Sequence, residues 1–484
     1  MAFDLAPFLE RQRRFAEAVG DSLAIIPGNR EASRNADTDY EFRQDSDFYF
    51  LTGFDEPDAV AVFNPSHAKE RFVLFVRPRD REMEIWTGRR AGVEGAIATY
   101  GADAAYTIDE LDARLREYAI DRPGLVYRLG NPHYDARVTR LLTEMRNVRV
   151  RGGFVTPARL DDPEPILHEM RLRRLPEELA RQRRACEISR DAHIEAMRFA
   201  RPGQHEYEVQ AAIEFVFRRG GSSRNAYPSI VASGPNACIL HYNENGRRME
   251  DGDLLLIDAG CEWGYHASDI TRTFPVNGRF TAPQRRVYQV VLDAQLAAIA
   301  AARPGQRYDA IHDAARRVLT EGLVTLGLLP RGVDESLAMH HYREFYMHGT
   351  GHWLGMDVHD VGDYRVRRQS RTLEAGMVLT VEPGLYVDPE RESVTLHLRE
   401  YSEEEMWERR FRLGIAAAKK IEDEEKARAE KIVHPIPREY RGIGVRIEDD
   451  ILITAQGHDV LTAGTPKTIE EVERTCAEPP RLPS

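Results

Sequence analysis

Short apolar runs closed by glycine or proline dominate the first part of the chain: SLAIIPG, DAVAVFNP, RFVLFVRP and GLVYRLG each predict a β-strand. Between them lie stretches of helical periodicity such as TIDELDARLREYAI, which opens on Thr107 and Glu110 in the spacing of a capping box. The alternation predicts an α/β domain over residues 1–165. It ends in RGGFVTPARLDDPEPI, whose prolines and glycines predict a linker. A long charged helix is predicted from Pro176 to the Arg201-Pro202-Gly203 stop. A second helix in HEYEVQAAIEFVFRRG, several strands and a helix pair reaching about residue 329 make residues 166–475 an α+β domain. The basic clusters RLRR and RQRR have glutamates interleaved and predict a solvated helix face. Residues 399–431 depart from this texture, with no proline, a single glycine and dense charge. Trp407, Phe411, Ile415 and Ala418 recur there at spacings of three or four, predicting an exposed helix whose narrow apolar stripe must lie against another surface.

The 484 residues carry 67 Lys and Arg against 79 Asp and Glu, a formal charge of −12, the wrong sign for a protein that grips phosphate backbones. Nucleic acid is therefore not an expected partner. The four cysteines, Cys186, Cys238, Cys261 and Cys476, show no C-x-x-C spacing and predict a reducing compartment rather than a disulfide framework. Asp4 and Glu10 interrupt the apolar core that a signal peptide needs. No stretch approaches the roughly 18 apolar residues of a membrane span. The expected location is the cytoplasm, with no membrane partner.

The candidate chemistry begins in LLLIDAGCEWGYHASDITRTF. Asp258 and Asp269 lie symmetrically about Trp263-Gly264, so a simple hairpin turning there would oppose them on one face with Cβ atoms about 5 Å apart. Carboxylates that close share either a proton or a cation; a bulge in the hairpin would leave them as ordinary turn-flanking aspartates. MHGTGHWLGMDVHDVG then supplies His348, His352 and His359 within twelve residues, too loosely spaced for the helical pair of HExxH proteases. One such histidine alone is usually structural, but three beside glycine-rich backbone favour a site. Glu382 in LTVEPG and Glu448 in GVRIEDD each end an apolar strand, where an isolated glutamate is ordinarily a surface residue.

The segments IDAGCEWGYHASDITRTFPVNG, ILHYNEN, FYMHGTGHWLGMDVHDVG, VLTVEPGLY and RGIGVRIEDDI, in this order, resemble the pita-bread metallopeptidases, and among them the Xaa-Pro aminopeptidases, also called aminopeptidase P. ADTDYEFRQDSDFYFLTGFDEPDAV and EIWTGRR extend the resemblance into the amino-terminal domain. It covers nearly the whole chain except about 390–431. The resemblance implies an aminopeptidase P amino-terminal domain followed by a pita-bread catalytic domain. It also implies a two-metal site held by Asp258, Asp269, His352, Glu382 and Glu448, with Asp269 and Glu448 bridging and manganese the usual ion. His241, His348 and His359 match positions around the substrate. Arg446 matches a residue that orients a ligand or bonds the substrate, and Asp37 one that pairs with that arginine. Tyr386 falls among the substrate or supporting residues. Trp86 matches a tryptophan lent by a neighbouring subunit in family tetramers, so a homo-oligomer, dimer or tetramer, is implied.

The expected activity is removal of the first residue from peptides with proline second, by a hydroxide held between two divalent ions. A prolidase, restricted to Xaa-Pro dipeptides, has the same ligands and is the nearest rival. A short methionine aminopeptidase is disfavoured by the 165 residues ahead of the catalytic domain. Metal-free hydrolases of the creatinase kind and binding proteins on this fold normally lack the metal carboxylates, which are present here. The departure from the pattern is an insertion at about 391–431, between Glu382 and Glu448, expected to rise near the rim of the site.

Overall fold

The computed structural model describes residues 4–400 and 402–481 and divides the chain into two compact units, Met1–Arg171 and Leu172–Ser484. The division falls inside the helix Glu164–Leu172, later than the expected cut at 165.

In the first unit the apolar runs become a six-stranded sheet in the order Ala104–Thr107, Phe72–Val76, Val60–Phe63, Leu23–Pro27, Gly124–Val126, Arg159–Asp161. Leu23–Pro27 runs antiparallel to Val60–Phe63 and parallel to Gly124–Val126. The predicted capping box at Thr107 and Glu110 is formed, opening a short 3-10 turn that leads into the helix Leu111–Tyr118. That helix and Pro132–Gly152 bury Leu111, Leu115, Tyr134, Val138 and Leu141 against the sheet residues Leu23, Val60 and Val73. The predicted linker does not stay a linker. Arg159–Asp161 pairs in parallel with Gly124–Val126 and becomes an edge strand, because the backbone N–H and C=O groups of Gly124–Val126 need partners and the passing segment supplies them.

In the second unit the helix predicted from Pro176 runs Pro176–Phe199, started by proline in its first turn and by Glu178, which accepts a hydrogen bond from the Leu175 N–H at 2.8 Å. With Glu206–Arg219, Ala282–Ala301 and Asp309–Thr325 it packs on short antiparallel strands. One group is Ile230–Ser233, Leu254–Asp258 and Thr271–Pro275; a second is Val378–Val381, Asp449–Ile453 and His458–Val460; a third is the pair Gly384–Tyr386 and Gly444–Arg446. Helix faces and strand faces share one large apolar core that includes Val209, Ile257, Phe274, Val291, Leu385 and Val445. The basic cluster RLRR is not a solvated face. Arg171 is buried with Asp47 at 2.8 Å, and Arg174 is buried against Asp360, because both arginines have a carboxylate to enter the interior with.

The segment between Glu382 and Glu448 corrects the single-helix expectation. It rises on the antiparallel strands Ser393–His397 and Lys431–Pro435, whose ends lie side by side, and carries two helices, Glu403–Leu413 and Ile415–Arg428. Gly414, at φ +80°, is where the chain turns between them; Tyr401 lies outside the described residues. The face that packs holds Met406, Ala418 and Glu422. Trp407, Phe411 and Ile415 stay 57 %, 84 % and 75 % exposed, so most of the predicted stripe is uncovered within this chain.

Candidate metal centre

Asp258 ends the central strand of the first group, directly opposite Thr271 on one side and Ile230 on the other. The hairpin that follows does not turn at Trp263-Gly264. Trp263 pairs with His266 around Gly264 and Tyr265, both with positive φ, the two-residue turn that matches strand twist. The register is therefore shifted by two from the one expected, and Asp258 faces Thr271 rather than Asp269. A shift of two preserves the face of the sheet. Asp269, carried on an irregular stretch after Ala267, still comes to Asp258: the Tyr227 hydroxyl hydrogen-bonds Asp258 at 2.6 Å and also reaches Asp269. Gly260 allows this crossing, because a Cβ there would lie 1.8 Å from the Ser268 carbonyl oxygen.

His352 is positioned by its own backbone. Its Nδ1 lies 3.0 Å from the Trp353 carbonyl, which makes Nδ1 the protonated nitrogen and leaves Nε2 as a ligand atom. Nε2 lies 3.4 Å from Asp269 and 3.8 Å from Glu382. Glu382 follows the strand Val378–Val381, its N–H donating to the Thr350 carbonyl at 2.8 Å. Glu448 sits between two strands; its N–H donates to the Thr271 carbonyl at 3.1 Å, and its carboxylate accepts from the Thr271 hydroxyl at 2.6 Å. The buried Arg272 guanidinium holds the same turn, donating to the Glu448 carbonyl at 2.6 Å and to Asp449 at 2.7 Å.

Ligand atoms of Asp269, His352 and Glu448 all lie within 4.8 Å of one another, with Asp258 and Glu382 joined to them through Tyr227 and His352. Burial together with neighbouring carboxylates pushes the Glu382 carboxyl up to about 7, raises Asp269, and lifts Glu448 well above the usual range. Burial alone would lower His352, yet Asp269 and Glu382 hold it up at about 9. Four acids packed this closely around one imidazole cannot all ionise without added positive charge. The donor set of carboxylate oxygens and one free nitrogen fits divalent cations.

Around this cluster, Arg446 is buried and donates to Asp258 at 2.6 Å, to the Tyr386 hydroxyl at 2.9 Å and to the Thr271 hydroxyl at 3.1 Å. His348 meets the same Tyr386 hydroxyl at 2.9 Å through Nε2, and its Nδ1 lies 3.7 Å from Glu382; burial and Arg446 push it down to about 3, so it is neutral. The His359 ring packs edge-on to His352 with centroids 4.2 Å apart, and burial and His352 lower its pKa. His241 lies exposed, after the short 3-10 helix Gly234–Cys238. Asp37 and Trp86 belong to the first unit: Asp37 is exposed between the strands Ser33–Asn35 and Thr38–Asp39, and Trp86 is 83 % exposed on the helix Arg81–Thr87. Tyr227, Thr271 and Asp450, whose carboxylate accepts from the Asp269 N–H at 3.1 Å, carry no signal in the sequence, since their partners are remote along the chain.

Among the described residues no helix is long and apolar enough to cross a membrane. Residues 180–455 match the model of metallopeptidase family M24, and residues 8–127 match that of the aminopeptidase P N-terminal domain. The Xaa-Pro aminopeptidase of Escherichia coli K12 is 42 % identical over 465 residues, covering 96 % of this chain and 95 % of that protein. The structure of Pseudomonas aeruginosa aminopeptidase PepP aligns with a TM-score of 0.88 at 43 % identity, covering 98 % of both chains. A zinc-substituted E. coli aminopeptidase P in complex with product aligns at 0.86 with 41 % identity, covering 98 % of this chain and 99 % of that one. With matches of this extent across both units and a clustered set of acids and imidazole at the expected positions, the chain belongs to metallopeptidase family M24, with an aminopeptidase P amino-terminal domain.

Proposed function

We propose that this protein is a Xaa-Pro aminopeptidase that releases the first residue of peptides whose second residue is proline. The observation that carries the reading is the convergence of Asp258, Asp269, His352, Glu382 and Glu448 on one partly buried cluster, in a chain alike over nearly its whole length to Xaa-Pro aminopeptidases. Proline requires a dedicated enzyme because its amide has no N–H and its φ is fixed, so sites that read an extended, hydrogen-bonded backbone reject it.

Asp269 and Glu448 would hold both ions, Asp258 would serve one, and His352 with Glu382 the other. Oxygen-dominated ligation with a single imidazole favours manganese. When bound, two such ions supply hydroxide near neutral pH and polarise the scissile carbonyl. The chain's own residues do the rest. Arg446 offsets the charge of Asp258 and, with Tyr386, fixes its orientation. Neutral His348, held by the Tyr386 hydroxyl, borders the bound peptide. His359 and His241 donate hydrogen bonds to the carbonyl oxygen and to the tetrahedral intermediate. Asp37 and Trp86 are supporting residues, the latter acting across subunits of a homo-oligomer. The four cysteines are all free thiols, which suits the cytoplasm.

A kinetic panel with added Mn²⁺ tests the reading. Cleavage of Xaa-Pro-Yaa tripeptides that disappears on chelation and returns with metal supports it. Turnover restricted to Xaa-Pro dipeptides would make the protein a prolidase, and turnover indifferent to chelation would place it with the metal-free hydrolases.

A further inference from the structure

A cavity of about 330 Å³ lies in the catalytic unit beside the metal cluster, and one of its walls comes from the inserted segment. Its lining includes Tyr308, Tyr342, Tyr346, Met347 and Tyr364 together with Trp407, from the first helix of the insertion. The rings are close, Tyr308 and Tyr364 having centroids 4.8 Å apart. Met347 and Trp407 are 50 % and 57 % exposed, leaving large apolar surfaces to solvent where a ligand would cover them. The Tyr342 hydroxyl on the same wall is buried and has no hydrogen-bond partner among the described residues. His348 is the border: it lines the cavity on one side and comes within 3.7 Å of Glu382 on the other.

None of the five clustered ligands lines this cavity. The first residue of an aminopeptidase substrate must place its amine and carbonyl at the metals, so its side chain occupies space that those ligands bound. A substrate of this kind also continues in one direction only from the scissile bond. Space beyond His348 that touches no ligand therefore serves residues after the proline, which an extended peptide reaches at about 3.3 Å per residue.

We infer that this cavity is a binding site for an aromatic side chain at the third or fourth position of the peptide, and that Trp407 of the insertion is its specificity-determining wall. The inference rests on the exopeptidase reading above and adds the peptide class that it favours. An aromatic side chain stacked among these rings is held more tightly than alanine by a factor of about ten.

The test uses the full-length, Mn²⁺-loaded enzyme and the peptides Ala-Pro-Ala-Ala, Ala-Pro-Phe-Ala and Ala-Pro-Ala-Phe. The parent is expected to prefer one phenylalanine peptide over the all-alanine peptide about tenfold in kcat/KM, with the difference in KM. Trp407→Ala is expected to bring that ratio close to one, and Trp407→Phe to keep most of it, with both variants checked for parental metal content. A parental ratio near one, or a ratio that Trp407→Ala leaves unchanged, overturns the inference while the exopeptidase reading stands. Failure of the parent to cleave any of the three peptides removes the exopeptidase reading, and the inference with it.

Discussion

Raising the pH should drive the stabilities of the metal-free and metal-loaded protein apart. In the metal-free protein Glu382 is pushed from an ordinary 4.5 to about 7, so the folded state holds a proton that the unfolded chain has already released. A raised carboxyl stabilises the folded state fully below 4.5, and that contribution is lost as pH climbs through 7. At about 1.4 kcal/mol per pH unit, the loss from Glu382 is on the order of 3 kcal/mol. His352, raised from 6.5 to about 9, acts in the same direction over a higher window, since its folded state also binds the extra proton. Divalent metal reverses the sign, because it binds the deprotonated ligands and its affinity rises as protons leave. Differential scanning calorimetry from pH 5 to pH 8, with chelator and with Mn²⁺, reads both effects. The metal-free midpoint should fall by about 5 °C or more, and the gap to the loaded form should widen. A metal-free midpoint that is flat or rises over this range, with a constant gap, would refute the account of the acidic cluster.

Five substitutions probe the division of roles. Glu448→Ala or Asp269→Ala should abolish activity and lower bound metal below two ions per chain; full occupancy with normal turnover in metal analysis would contradict the bridging assignment. His359→Ala and His241→Ala should keep metal content near the parent while kcat/KM falls about 10²-fold, and loss of metal instead would make them ligands. Tyr227→Phe removes the hydroxyl shared by Asp258 and Asp269 and should weaken metal binding by about 10-fold to 100-fold in a competition titration.

What the sequence discloses follows from how local each signal is. Apolar runs ended by proline or glycine specify strands from within a few residues, and the strands of the first unit stand at all four such runs. The helix from Pro176 carries its start in its own first turn and its stop in the Arg201-Pro202-Gly203 that follows it. Register is less local. The turn at Gly264 and Tyr265 needs two left-handed residues, and tyrosine gives no hint that it adopts that conformation. The approach of Asp269 to Asp258 survives the shifted turn, since a slip of two keeps the face. Tyr227 is invisible in sequence because it reaches the cluster only through the pairing of Ile230 with Asp258. In the insertion, periodicity shows which residues share a face, not which face packs within the chain; the positions buried there are Met406, Ala418 and Glu422.

The inserted segment leaves and re-enters the catalytic unit on paired strands, with Ser393 beside Pro435. Below it, Gly384–Tyr386 pairs directly with Gly444–Arg446, so the spacing of Glu382 from Glu448 is set by those hydrogen bonds and not by the length of chain between them. Doubling a loop costs only about 0.6 kcal/mol in closure entropy. The hairpin is thus a socket: recognition elements of other lengths and sequences can be exchanged on it, in evolution or by grafting, while the register that holds the two glutamates is left undisturbed.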